Sequence, residues 1–333
     1  MCYRYTLKRI VVAISCLVGA FNLRAQERST VLDSLPPVIS VTTNHSTSAR
    51  PSSYLAPLQV DWTKFGIATG ILGVSAVGLH ILQYNSWWAK DRQAFHVYDD
   101  PVYKANFDKF GHVFGAYYSA HFFREAYRWS GLDSARSDLF ASLSGALYEF
   151  YVEIEDGYGK DWGFSPGDAT ADIVGATFFL LRNRIDFLRN FQYKFFYFPS
   201  QEILNGNADH PGQSLNPIDD YAGQSYWLTV DIHRMLPESA KAFWPDWLML
   251  AFGVGGYNIG NESTSTDINP NIKPQIAYYV SIDYDLEKVI PESSVGVLNF
   301  LRRALSYSHF PAPAYRITPD PRFFVLFPFK MTF

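Results

Sequence analysis

From Phe65 to Ala89 the chain carries no Asp, Glu, Lys or Arg, and His80 is the one histidine in that stretch. At about 1.5 Å per residue, a helix of this length crosses the hydrocarbon of a bilayer. Trp62 precedes the run and Trp87 and Trp88 close it, the positions where amphipathic rings anchor a span at the membrane–water interface. Gly66 and Gly70 make a small-xxx-small pair, which suits close helix packing in lipid. The competing reading is a core helix buried in a soluble bundle. Length and end-aromatics together favour the membrane. Composition points the same way: aromatic residues are 17 % of the chain, with 22 tyrosines and 27 phenylalanines, and rings with a polar tip favour membrane interfaces.

The N-terminus reads as an export signal. Arg4, Lys8 and Arg9 precede the apolar run Ile10 to Phe21, and Leu23-Arg24-Ala25 supplies a cleavage site. The expectation is therefore a signal peptide over 1–25 and a mature start at Gln26. A lipidated start would use Cys16 after Ala13-Ile14-Ser15, but the apolar run continues past it. Cys2 and Cys16 are the two cysteines of the sequence, so residues after 25 hold neither disulfide nor thiolate. Residues 26–60 are rich in Ser, Thr and Pro and read as a tether. The net charge of −4 provides no general basic field, which argues against nucleic acid as a partner. Membrane lipid is the expected partner.

Residues 61–184 read as an apolar helical bundle. Beyond the first helix, segments run from Phe107 to Trp129, from Ser134 to Glu155, and from Ser165-Pro166 to Asn183. Serine caps the last of these and proline fits its first turn. Gly115 and Ser119, Ala141 and Gly145, and Asp172 and Ala176 place small residues at helical spacing, so close packing is expected. In 185–333 the period changes. Strands are expected over Phe191–Phe198, Tyr226–Arg234, Trp247–Tyr257 and Ile276–Leu286, with an amphipathic helix over Ser294–Leu305. A final strand places Phe323, Val325, Phe327, Phe329, Met331 and Phe333 on one face, and Pro328 puts it at an edge or seam. Five strands are too few for a complete outer-membrane barrel. The expected fold is membrane-associated α+β: a helical bundle followed by an antiparallel, strand-rich half.

The chemistry-bearing residues lie between Asp108 and Asp172. Asp108 and His112 are four apart on one helix face. Glu149, Glu153 and Asp156 recur at i, i+4 and i+7 on the next. Asp168 and Asp172 stand one turn apart on the third. Unpaired charge in an apolar interior is unfavourable, so these stripes must meet one another or face water. His112, Glu153, Asp156 and Asp172 form the candidate catalytic cluster. That set suits a divalent cation such as Zn or Mn, or a histidine general base oriented by a carboxylate. The bland readings are specific. Ser165 and Asp168 form a capping box, Asp108 with Lys109 is a solvated helix start, and Glu149 sits at an interface. His121, His210, His233 and His309 have no partner at diagnostic spacing and read as structural. Neither an H-E-x-x-H nor a Walker loop is present.

The order Asp108-Lys109-x-x-His112, then Glu153-x-x-Asp156, then Gly163-Phe164-Ser165-x-x-Asp168-x-x-x-Asp172-x-x-Gly175-Ala176 resembles the predicted periplasmic lipoproteins of the YfiM type. A weaker similarity is to VanZ-like membrane proteins, in which Asn stands where this chain has Asp172. The final phenylalanine of an alternating strand resembles the assembly signal of outer-membrane β-proteins. The first resemblance covers about a quarter of the chain and implies a site and an envelope location, with no assigned reaction. The expectation is an outer-membrane-associated envelope protein facing the periplasm. The alternatives are a membrane-embedded hydrolase or transferase acting on a lipid or cell-wall head group, and an inner-membrane VanZ-like protein.

Overall fold

The computed structural model describes residues 60–88, 92–98, 103–160, 162–204, 217–218, 220–259 and 271–329. The expected export signal with Cys2 and Cys16, nearly all of the expected tether, His210, Met331 and Phe333 lie outside the described residues. The chain is α+β, helical in its first half and a six-stranded antiparallel sheet in its second.

Among the described residues, four long helices form the first half: α1 Trp62–Gln83, α2 Asp108–Trp129, α3 Ser134–Asp156 and α4 Pro166–Arg184. Their starts are written in side chains. Asp61, Asp133 and Ser165 each accept a hydrogen bond from the amide three residues on, in Lys64, Arg136 and Asp168, which satisfies one of the open N–H groups of each first turn. Pro166 occupies the first turn of α4. Replacing Ser165 by Ala is expected to remove about 1 kcal/mol of stability, read as a lower melting temperature, with the Ser165→Thr protein close to the parent.

The helices are antiparallel neighbours. The amide of Asp61 donates to the carbonyl of Ser130, joining the start of α1 to the end of α2. At the opposite end the Tyr151 hydroxyl meets His80 Nδ1. Small residues let α2, α3 and α4 approach closely. A Cβ at Gly145 would come within 2.8 Å of the Ala116 carbonyl, and one at Gly175 within 2.1 Å of the Val113 carbonyl. On α1 the expectation of close packing fails: a Cβ at Gly66 or Gly70 would meet nothing, and Ala68 alone in that helix is buried.

Trp88 also departs from its expected place at an interface. It is fully buried in the π-turn Tyr84–Trp88, and its indole N–H donates to Asp156 Oδ1 at 2.5 Å. An aromatic with a polar tip serves as an interface anchor or as a core residue with one hydrogen bond, and here Asp156 supplies the bond.

The sheet runs β1 Phe191–Tyr197, β2 Gln224–Val230, β3 Leu248–Tyr257, β4 Gln275–Tyr284, β5 Ala314–Thr318 and β6 Arg322–Phe324, each paired with the next. Register places Lys194, Trp227, Gly253 and Tyr279 in one row. One face of the sheet carries the core of Trp227, Ala251, Ala277, Tyr279, Ala314, Phe324 and Phe327. At Gly253 a Cβ would lie 2.5 Å from the Trp227 indole, so only glycine leaves room for that ring. On the other face Tyr193 and Tyr226 join Phe107, Tyr117 and Phe179 of the helical half in a second core.

Three strand expectations are corrected. β2 ends at Val230 because Asp231 caps a one-turn helix, Ile232–Met235. β5 is an additional strand. The final alternating segment is a strand only to Phe324: Phe323 is 60 % exposed while Phe327 is 7 % exposed, so they do not share a face. Pro328 has no N–H to continue a ladder, and the Phe327 amide bonds instead to the Ala312 carbonyl. The outer edge of β1 is covered by a late segment, with the Phe195 amide donating to the Tyr307 carbonyl and the His309 amide to the Phe195 carbonyl, both at 2.9 Å.

Residues 286–305 form a separate unit among the described residues. Its helix, α5 Gly296–Leu305, is tied to the preceding turn by Asn299, which exchanges two hydrogen bonds with the Ser293 backbone.

Candidate functional site

The antiparallel arrangement brings the first turns of α2, the last turns of α3 and the first turns of α4 to one end of the bundle. His112 sits at the centre. Its Nδ1 lies 3.1 Å from Asp172 Oδ1 and 3.6 Å from Glu153 Oε1, and its Nε2 lies 3.7 Å from Asp168 Oδ1. Lys109 Nζ bridges Asp168 Oδ1 at 2.8 Å and Asp108 Oδ2 at 3.0 Å. Glu153 is buried, and its Oε2 accepts the Ser165 amide at 3.1 Å.

Two overlapping sets of donor atoms result. His112, Glu149 and Asp172 form one, and His112, Glu153 and Asp168 the other, with the donor atoms of each within 4.8 Å of one another. Asp172 is 1 % exposed, and its Oδ2 has no hydrogen-bond partner among the described residues. Gly115 makes room for Glu149, since a Cβ there would come within 2.9 Å of its Oε1. Five carboxyl groups thus gather around one lysine and one imidazole. An excess of like-charged oxygens in a confined space is unfavourable unless protons or a cation offset it.

Of the four residues expected to cluster, His112, Glu153 and Asp172 meet. Asp156 does not join either donor set and lies against Trp88 instead. Two residues read from the sequence as bland stand in the site. Asp168 has its amide capped by Ser165 as expected, but its carboxylate faces Lys109 and His112. Glu149 points inward through the gap at Gly115. The i, i+4 spacing of Glu149 and Glu153 was the signal for the second of these.

The remaining histidines are placed in the fabric of the fold. His121 is buried and its ring lies 4.7 Å from that of Tyr307, and His233 Nδ1 lies 2.7 Å from the Trp244 carbonyl oxygen. His309 belongs to a second ionic group that sequence spacing does not reveal. Lys194 Nζ lies 2.8 Å from Asp283 Oδ2, and Asp283 Oδ1 lies 3.4 Å from His309 Nδ1, all three residues being inaccessible to solvent. The His309 ring stacks on Trp227 at 4.0 Å.

The site coincides with a family signature. Residues 97–184 match the model of the family described as predicted periplasmic lipoprotein (DUF2279). The match takes in α2, α3 and α4 and every residue of both donor sets, and it supports a place in the cell envelope. Neither the likeness to VanZ-like proteins nor the outer-membrane strand signal draws support from it. No curated protein and no solved structure matches the chain.

Proposed function

We propose that the chain is a membrane-anchored envelope protein whose helical bundle holds a divalent cation between His112, Glu149, Glu153, Asp168 and Asp172. The observation that carries this reading is the buried, unpartnered Oδ2 of Asp172 beside two sets of converging donors. A buried carboxylate oxygen left without a partner is unfavourable by several kcal/mol, and a bound cation removes that penalty. One imidazole among carboxylates suits Mn or Zn better than a purely soft site would. Ser165, which donates its amide to Glu153, and Lys109, which holds Asp168, orient the ligands from behind, as outer partners do in metal sites. The anchor is α1, long and apolar enough to cross a membrane and almost wholly exposed.

The test uses the mature protein purified in detergent, stripped with chelator and titrated with Mn²⁺ or Zn²⁺. One cation per chain is expected, with a higher melting temperature. Asp172→Asn removes a direct ligand charge and should weaken binding by at least the roughly 10–100-fold that follows loss of an outer partner, while the protein still accumulates in membranes. Absence of binding at millimolar metal, with an unchanged melting curve, refutes the reading. Fractionation of the same cells separates the two membranes. A mature chain starting at Gln26 in the outer-membrane fraction favours the outer membrane, and retention of 1–25 with inner-membrane markers favours the inner.

A further inference from the structure

Beside its apolar core, the bundle turns its charges inward and apolar side chains outward. Its interior holds the ionic site together with buried Ser137, Asp138 and Ser142, whereas its outer surface is apolar. Beyond Asp138, every exposed residue of α3 is apolar: Phe140, Leu143, Leu147, Phe150 and Ile154, with Leu147 the most open at 68 %. On α4, Ile173, Val174 and Leu181 are exposed, and no charged residue is exposed before Arg184. α1 exposes Ile67, Val74, Val77, Leu79, Ile81 and Leu82. A helix in water presents the reverse pattern, and contiguous apolar patches of this kind mark an interaction surface.

Charges bound the apolar band at both ends. At one end Asp138 pairs with Arg124 at 2.6 Å and lies 3.9 Å from Arg184. At the other, Glu155 pairs with Arg92 at 2.9 Å. From Asp138 to Glu155 the rise along α3 is about 25 Å, close to the roughly 30 Å of bilayer hydrocarbon and within what mismatch tolerates.

We infer that the outward faces of α3 and α4 lie against lipid acyl chains, so that the whole bundle is embedded in the membrane and α1 is its first helix, not a tether for a water-borne domain. Three observations select lipid as the occupant. The face is continuous in character with α1, its charge-free height matches a bilayer, and the ionic groups are turned inward, where polar residues of membrane bundles belong. The inference builds on the anchoring role of α1 proposed above. It places the cation site near one membrane surface, since the donors come from the helix ends on the Arg92–Glu155 side.

Spin labels test it. With Cys2 and Cys16 replaced by Ser, single cysteines are introduced as Leu147→Cys and Val174→Cys, with Val77→Cys on α1 and Glu238→Cys as the aqueous reference. Each labelled full-length protein is reconstituted in vesicles of phosphatidylethanolamine and phosphatidylglycerol. Collision rates are then measured with oxygen, which enters hydrocarbon, and with a water-soluble nickel chelate, which does not. At 147 and 174 the oxygen-to-nickel ratio should exceed that at 238 by about tenfold, in keeping with the exclusion of polar solutes from hydrocarbon. A water-like ratio at 147 and 174 with a lipid-like ratio at 77 overturns the inference and leaves the α1 anchor standing. Dipolar broadening at 147 that survives high lipid dilution also overturns it, because a second copy then covers the face.

Discussion

Asp283→Asn is expected to lower the stability of this protein by about 3–5 kcal/mol, the loss typical when one partner of a buried ion pair is removed. Lys194 and Asp283 are both fully buried, 2.8 Å apart, with Lys194 Nζ also donating to the Tyr284 carbonyl at 2.8 Å. Without the carboxylate, the ammonium stays in the sheet core facing a neutral amide. The double replacement Lys194→Met with Asp283→Leu should recover most of the loss, because an apolar pair of similar size avoids both desolvation penalties. Chemical denaturation of the three proteins in detergent reads the difference. Equal stability of Asp283→Asn and parent would show that the pair contributes nothing. The same pair sets a pH dependence. Burial pushes the Asp283 carboxyl up, but the Lys194 charge and His309 outweigh burial and hold it below its ordinary value. A lowered folded value means that this contribution is complete above the unfolded-state carboxyl pKa of about 3.9 and is lost as pH falls through the folded value. The Asp283→Asn protein should therefore lose less stability than the parent on acidification below about pH 4.

Gly175→Ala is expected to cost roughly 1–3 kcal/mol and to weaken cation binding in the same protein. The added Cβ would sit 2.1 Å from the Val113 carbonyl oxygen, so α2 and α4 must separate. Val113 follows His112, and Gly175 lies one turn beyond Asp172. Opening that contact therefore lengthens the 3.1 Å approach of His112 Nδ1 to Asp172 Oδ1. Gly70→Ala is the control. It adds a methyl into open space on α1 and should leave stability unchanged or raised by up to about 1 kcal/mol. Melting curves and metal titrations on both variants separate the outcomes. A Gly175→Ala protein with parental values in both would contradict the tight α2–α4 contact.

The helical half was readable because its determinants are local. Ser165-Pro166 announces α4, and Gly115, Gly145 and Gly175 mark the surfaces where helices touch. The strands β1, β3 and β4 followed from aromatic and β-branched runs in the same way, though not their pairing. β5 was hidden by Pro311, Pro313, Pro319 and Pro321, which break the pattern on either side of a short strand. The end of β2 was overrun because Ile232 continues an apolar run while Asp231 caps a helix. For the site, helical spacing aligned His112, Glu153 and Asp172, but nothing in spacing tells that Trp88 takes Asp156. Capping of its own amide masked the second role of Asp168. The Lys194–Asp283–His309 group was invisible for a different reason. Its members meet only through strand register and a late chain segment, and register is a property of the assembled sheet.

The seam at β1 fixes an order of events. The edge of the first strand to be made is closed by Tyr307 and His309, which follow β4 and precede β5. While the chain is being made, β1 to β4 can align, but the amide and carbonyl of Phe195 on the outer edge of β1 stay open until residues 307–309 arrive. An open edge of that kind recruits strands from other chains. The hazard is therefore one of timing. A chain interrupted after β4 carries a nearly complete meander with an open edge, so the exposure to aggregation belongs to that interval and not to the finished molecule.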